Sequence, residues 1–185
     1  MNLPNKLTMV RMVMVPVFIA CFYLRDVISW WNYAAAAIFL LADLTDVLDG
    51  YIARKHNLVT DFGKLMDPMA DKLLFCSAFI MLTALDGPIG GLNPILTIIF
   101  IGRELVISAF RLVAASSGTV IAANWLGKAK SAVQVVAIMA MLLGNPIFDL
   151  INVRFDLILM YLAGILTVWS AADYIIKNKG AINWK

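Results

Sequence analysis

Four aspartates in the first half of the chain form two pairs with helical spacing. Asp46 and Asp49 are three residues apart and Asp67 and Asp71 are four apart, so within helices each pair projects from one face. Carboxylates that converge without a cation repel one another, and an all-oxygen cluster favours a hard divalent ion such as Mg²⁺ or Mn²⁺. Seven of the twelve acidic residues lie within residues 43–86, and we interpret this region as a metal-binding site.

The residues beside the first pair add a place for a phosphate group. Gly50 and Ala53 lie on the same helical face as that pair and lack bulk, so an extended ligand can approach the backbone. Arg54 follows them and offers a guanidinium that can bind phosphate. Together these residues indicate phosphoryl transfer. Two other interpretations stay open: Asp67 and Pro68 could mark a helix N-terminus, and the first pair could be a cation or proton relay in a transporter.

The elements that hold these residues are predicted to be helices in a membrane. Of the 185 residues, 62% are hydrophobic and 15% are charged, with a mean hydropathy of +0.87. This excludes a soluble enzyme with a separate cofactor domain, and it excludes a disulfide scaffold. Backbone groups in hydrocarbon must be hydrogen-bonded within their own segment, which favours helices. We predict an all-α bundle of six transmembrane helices in one domain, residues 1–185, with helices at residues 8–24, 31–48, 68–85, 95–115, 130–148 and 155–176.

The distribution of basic residues predicts the orientation of this bundle. With the N-terminus inside, thirteen lysines and arginines fall on the inner side or at inner helix ends, against Arg25 and Arg154 outside. Cytoplasmic loops of membrane proteins carry such an excess. We therefore expect a multi-pass protein of the cell inner (plasma) membrane, with both termini cytoplasmic and a polar cavity that opens to the cytoplasm.

Four cations in the second half of the chain indicate what an acceptor substrate would carry. Arg103 and Arg111 share a face of the fourth predicted helix, and Lys128 and Lys130 lie at the start of the fifth. Four positive charges around one cavity suit a doubly charged phosphate on the acceptor. Alternatively, the two lysines only contact anionic lipid headgroups. Glu104, the only glutamate in the chain, is expected to pair with a neighbouring cation.

The aspartate motif has a spacing that is known from one enzyme family. It reads Asp46-x2-Asp49-Gly50-x2-Ala53-Arg54-x8-Gly63-x3-Asp67-x3-Asp71. At every defining position it resembles the signature of the CDP-alcohol phosphotransferases, and the resemblance extends over most of the chain. It implies that an alcohol attacks the lipid-side phosphorus of a CDP-linked lipid and displaces CMP.

The resemblance also implies roles for individual residues. Two divalent ions, Mg²⁺ or Mn²⁺, would be held by Asp46, Asp49, Asp67 and Asp71. Asp71 would in addition act as the general base. The residues implied to bind the cytidine diphosphate are Asn5, Thr8, Gly50, Ala53, Arg54 and Thr60.

Two further stretches, residues 103–111 and 127–134, resemble the bacterial members of the family that make phosphatidylglycerophosphate. This implies CDP-diacylglycerol as donor and sn-glycerol 3-phosphate as acceptor, whose phosphate would meet Arg103, Arg111, Lys128 and Lys130. The family implies a homodimer in contact with membrane lipid, and no nucleic-acid partner is expected. A sibling enzyme that uses inositol phosphate is one alternative, and a divalent-cation transporter is another.

Overall fold

Helices form the framework of the molecule. The computed structural model describes residues 2–55, 60–87, 89–119, 121, 125–145 and 153–181. Within these ranges lie α1 (Leu3–Tyr23), α2 (Trp31–Lys55), α3 (Asp61–Thr83), α4 (Pro94–Ser116), α5 (Trp125–Leu142) and α6 (Phe155–Asn178), and a 3₁₀ turn (Lys179–Ala181) follows α6. The all-α prediction is therefore confirmed for the part of the chain that the structure describes.

The helices around the aspartate motif are longer than predicted. Because the prediction followed apolar runs, it ended the second helix at residue 48, after Asp46 of the motif, and started the third at residue 68, after Asp67. In the structure the polar turns are helical too. The Thr60 hydroxyl oxygen caps α3 by accepting a hydrogen bond from the Gly63 N–H at 3.1 Å. The interpretation of Asp67 and Pro68 as a helix N-terminus is wrong, since Pro68 lies inside α3.

The fifth helix begins and ends earlier than predicted. It covers Trp125–Leu142 instead of residues 130–148. Gly144 and Asn145 follow with φ angles of +71° and +55°. Left-handed residues at this position commonly end a helix, because they turn the chain away from the helix axis.

Aromatic side chains fill the centre of the bundle. Phe18 of α1 packs against Phe39 of α2, with ring centroids 6.0 Å apart, and Phe39 packs against Phe75 of α3 at 5.5 Å. Phe79 of α3 stacks on Phe100 of α4 at 4.4 Å. Such aromatic pairs contribute about 0.5–1.5 kcal/mol each beyond their area burial. This core fixes α1, α2, α3 and α4 relative to one another, and α6 packs against both α4 and α5.

A polar cluster ties together the loops where α3 ends and α6 begins. Arg154 donates from Nε to Asp156 Oδ1 at 3.0 Å and from Nη2 to Asp156 Oδ2 at 2.8 Å. The same Nη2 donates to the Gly90 carbonyl at 3.1 Å. Asp156 is fully buried. This ion pair belongs to the scaffold, because it lies on segments that carry none of the predicted site residues.

Within the part of the chain that the structure describes, three helices are long and apolar enough to cross a membrane, namely Asn5–Tyr23 of α1, all of α5 and all of α6. The helices α2, α3 and α4 carry the aspartates and arginines of the predicted site, which lowers their hydropathy. Many large apolar side chains are exposed on the outside of the bundle, among them Val13, Leu105 and Ile165. These features suit a membrane protein, while the prediction of six spans stays a prediction.

Candidate active site

The first half of α1 forms one wall of the aspartate site. Asn5, Thr8 and Arg11 are spaced by three residues and thus share a face of the helix. All three are buried, with exposures of 8%, 1% and 0%. A buried polar side chain needs a partner, and these residues find theirs on α2 and α3 and at the cap of α3.

The partners of α1 are the aspartates of the motif. Thr8 Oγ1 donates to Asp67 Oδ1 at 2.5 Å, and Arg11 Nη1 donates to Asp46 Oδ1 at 2.6 Å. These contacts join α1 to α3 and to α2. The two helices that carry the aspartate pairs are therefore held against the same stretch of α1.

Asn5 and Thr60, both predicted to bind the cytidine diphosphate, lie in direct contact. Thr60 Oγ1 donates to Asn5 Oδ1 at 2.8 Å. Gly63 lies beneath them, and an added Cβ there would lie 3.3 Å from Asn5 Oδ1 and 3.3 Å from Thr60 Oγ1. The glycine of the motif thus allows α1 to approach the start of α3 closely.

The remaining motif residues are placed only by their backbones. Asp49, Gly50, Ala53 and Arg54 lie on the last turns of α2, and their side chains are outside the described part of the structure. Among the side chains that are described, no three of the His, Cys, Asp and Glu type lie close enough to share a metal ion. The four-aspartate ligand set therefore stays a prediction.

A cavity lies beside Asp71, the last aspartate of the motif. Asp71 of α3 lines it together with Glu104 of α4 and Lys130 of α5. Lys130 is 3% exposed, although lysine side chains are almost never fully buried unless they are paired. Asp71 thus shares a cavity with one of the cations predicted to bind the acceptor phosphate.

Glu104 pairs with two of the predicted cations at once. Its Oε1 accepts a hydrogen bond from Arg103 Nη1 at 3.0 Å and one from Lys130 Nζ at shorter range. The expectation that Glu104 pairs with a neighbouring cation is confirmed. Arg103 and Lys130 are in this way brought together between α4 and α5.

The other two predicted cations lie elsewhere. Arg111 Nε donates to the Tyr174 hydroxyl at 3.0 Å, and its guanidinium carbon lies 5.2 Å from the centre of the Tyr174 ring. Lys128 is exposed at the start of α5. Neither lines the cavity beside Asp71.

Two features of the site were missed by sequence reasoning. Arg11 was predicted to be a cytoplasmic basic residue without a role in the site, although its spacing from Thr8 on one helix face was a usable signal. Gly63 was noted only as part of a signature, and its closeness to Asn5 depends on a contact between segments far apart in the chain.

Comparisons with known proteins identify the family. Residues 1–169 match the family model described as CDP-alcohol phosphatidyltransferase. A protein of Bacillus subtilis (strain 168) is 40% identical over 98% of this chain and 97% of its own length. Proteins of Shigella flexneri serotype 5b (strain 8401) and Escherichia coli (strain K12) are 38% and 37% identical over 94% of this chain and 93% of their own lengths. All three relatives are named CDP-diacylglycerol–glycerol-3-phosphate 3-phosphatidyltransferase. The chain therefore belongs to the CDP-alcohol phosphatidyltransferase family.

Proposed function

We propose that the protein transfers the phosphatidyl group of CDP-diacylglycerol to sn-glycerol 3-phosphate, which gives phosphatidylglycerophosphate and CMP. The names of relatives that match nearly the whole chain support both substrates. The structural observation that carries the proposal is the position of Asp71. This carboxylate belongs to the aspartate motif and also lines the cavity that contains the buried Lys130. A phosphorylated alcohol that attacks the donor requires a base for its hydroxyl proton and a cation that binds its phosphate.

The donor set of the motif fits divalent cations. The family generally uses divalent metal ions, and carboxylate oxygens are ligands that Mg²⁺ and Mn²⁺ prefer. Two ions held by Asp46, Asp49, Asp67 and Asp71 would neutralise the charge of the diphosphate and of the leaving group. In the structure Thr8 donates a hydrogen bond to Asp67 and Arg11 donates one to Asp46, so two of these carboxylates are oriented by α1.

The chain's own residues account for the proton and for binding. Asp71 takes the proton of the acceptor hydroxyl, whose oxygen then bonds to the lipid-side phosphorus. The bond from that phosphorus to the oxygen of CMP breaks, and CMP leaves with the electron pair. Asn5, Thr8, Gly50, Ala53, Arg54 and Thr60 bind the cytidine diphosphate. Lys130 and Arg103 orient the acceptor phosphate, and Arg111 and Lys128 attract it from the cytoplasm.

The membrane setting follows from the same proposal. All six helices cross the inner (plasma) membrane, and both termini are cytoplasmic. The cavity opens to the cytoplasm, so the water-soluble acceptor sn-glycerol 3-phosphate can enter it from there. The acyl chains of the donor lie between helices in contact with membrane lipid. The protein acts as a homodimer. The inside excess of basic residues supports the orientation, and the apolar outer surface of the bundle supports contact with membrane lipid. The homodimer rests on the family alone.

Two alternatives have less support from the comparisons. An inositol phosphate acceptor would use the same cations, but the named relatives use glycerol 3-phosphate. A divalent-cation transporter has no support from the comparisons, because the family to which the chain belongs is one of transferases.

The test is CMP release by the protein purified in detergent, with CDP-diacylglycerol, Mg²⁺ and each acceptor in turn. We expect wild-type protein to release CMP when sn-glycerol 3-phosphate is the acceptor. EDTA should abolish this release, and the Asp71→Asn variant should show none. The matched control is Asp86→Asn, because Asp86 is an exposed acid outside the site. Preference for inositol phosphate would overturn the acceptor, and no release with any acceptor from folded protein would overturn the enzyme.

A further inference from the structure

Glu104 stands out because it is an anion within a pocket proposed to bind an anion. Its Oε1 contacts Arg103 Nη1 and Lys130 Nζ, so one carboxylate oxygen joins a cation of its own helix to a cation of α5. The side chains of Lys130 and Arg103 are 4% and 11% exposed, whereas that of Glu104 is 22% exposed. The two cations are thus more deeply buried than the acid that holds them.

Lys130 depends on this acid for its position. Among the residues that the structure describes, Glu104 is the one anion in a salt bridge with Lys130. A buried ammonium without a partner is strongly unfavourable and either loses its proton or moves toward water. Without Glu104, Lys130 would therefore not remain as a charged group beside Asp71.

Arg103 keeps hydrogen-bonding capacity for a ligand. Its Nε is buried and has no hydrogen-bond partner among the described atoms. A buried donor of this kind is costly unless something accepts from it. A phosphate oxygen of the acceptor substrate is negatively charged and can accept a hydrogen bond from this group. One guanidinium can bind a phosphate and a carboxylate along different edges.

We infer that Glu104 is a positioning residue for the acceptor, an inference that rests on the proposed function. It holds Lys130, which lines the cavity beside Asp71, together with Arg103, which contacts the same carboxylate oxygen, as a preformed pair of cations. Glu104 does not touch the acceptor, since two anions repel. The acceptor phosphate binds the free sides of the two cations, which leaves the acceptor's hydroxyl to face Asp71.

The test compares steady-state kinetics of Glu104→Gln with those of wild type. We expect the KM for sn-glycerol 3-phosphate to rise about tenfold or more, equivalent to about 1.4 kcal/mol, while the KM for CDP-diacylglycerol changes less than twofold. Glu104→Asp keeps the charge on a shorter side chain, so we expect a smaller rise. It also serves as the test variant if the glutamine variant does not fold.

Two further variants separate positioning from mere stability. Asp156→Asn breaks another buried ion pair, remote from the cavity, and should lower Tm without changing the KM for sn-glycerol 3-phosphate. If Glu104 acts through Lys130, the double variant Glu104→Gln/Lys130→Ala should raise this KM by less than the product of the two single effects.

The outcomes are distinct from those that test the proposed function. If wild type does not use sn-glycerol 3-phosphate, the proposed function itself is wrong. If wild type uses it but Glu104→Gln leaves its KM unchanged, or raises the KM values of both substrates equally, only the role of Glu104 is overturned. If the double variant raised the KM for sn-glycerol 3-phosphate by the full product of the two single effects, the role of Glu104 would likewise be overturned.

Discussion

Replacing Arg11 by methionine tests whether α1 holds the aspartate site together. Arg11 is fully buried and donates from Nη1 to Asp46 Oδ1 at 2.6 Å. Methionine keeps an unbranched stem but removes the charge, so a charge-assisted hydrogen bond of about 1.5–3 kcal/mol is lost. The Asp46 side chain is 41% exposed, so water replaces part of that bond, and we expect the lower end of the range, about 1.5–2 kcal/mol.

This loss is measurable by thermal unfolding in detergent, followed by tryptophan fluorescence. For a chain of this size about 1 kcal/mol shifts Tm by about 2–4 °C, so Arg11→Met should lower Tm by about 3–8 °C. We also expect slower turnover below Tm, because the Asp46 carboxylate is no longer fixed.

Arg25→Met is the matched control for this experiment. The Arg25 side chain is 47% exposed, and its Nε lies 3.8 Å from Asp26 Oδ1. Exposed ion pairs contribute about 0–1 kcal/mol, so Tm should change little. If Arg11→Met lowered Tm no more than Arg25→Met does, the contact between α1 and Asp46 would not stabilise the site, and the reasoning above would be refuted.

Three further substitutions test the rest of the site. Asp71→Asn should lower kcat about 10²–10⁴-fold, the usual contribution of a general base, with little change in the KM for CDP-diacylglycerol; retained turnover would remove Asp71 as the base. Gly63→Ala should weaken donor binding, because an added Cβ would lie 3.3 Å from Asn5 Oδ1 and from Thr60 Oγ1 and these side chains would have to shift. Gly102→Ala is its control in thermal unfolding and donor titration, because no described atom lies within 4 Å of an added Cβ there, apart from its chain neighbours and the backbone of its own helix; equal effects of the two would contradict the account of close packing. Lys130→Ala should raise the KM for sn-glycerol 3-phosphate more than Arg111→Ala does, because Lys130 lines the cavity beside Asp71 and Arg111 does not; the reverse order would place the acceptor nearer α6.

Long apolar runs were enough to predict the helices, and helical spacing was enough to group the aspartates in two pairs. Asp46 and Asp49, like Asp67 and Asp71, share a helix face because of local spacing, which a sequence displays directly. The length of the helices was less predictable, because the prediction followed apolar runs and the functional turns of α2 and α3 are polar.

The contacts between helices were beyond sequence reasoning. Arg11 and Asp46 are 35 positions apart, and Thr8 and Asp67 are 59 positions apart. Nothing in local spacing selects these partners. For the same reason the sequence could not separate Lys130, which is buried beside Asp71, from Arg111, which contacts α6. Only the packing of α4 between α3 and α6 makes that distinction.

The free-energy cost of placing the charges of the site in a membrane is offset because they are paired across helices. A single charge at the centre of a membrane helix costs about 2.5–3.5 kcal/mol on insertion scales. Here the guanidinium of Arg11 meets Asp46, and the ammonium of Lys130 meets Glu104. Each pair joins two different helices, so the interactions that offset the cost of the charges also set the relative positions of those helices. Asp71 lies between the two pairs in sequence and lines the cavity of the second. The packing that makes these charges tolerable therefore also brings the proposed base to the proposed phosphate site.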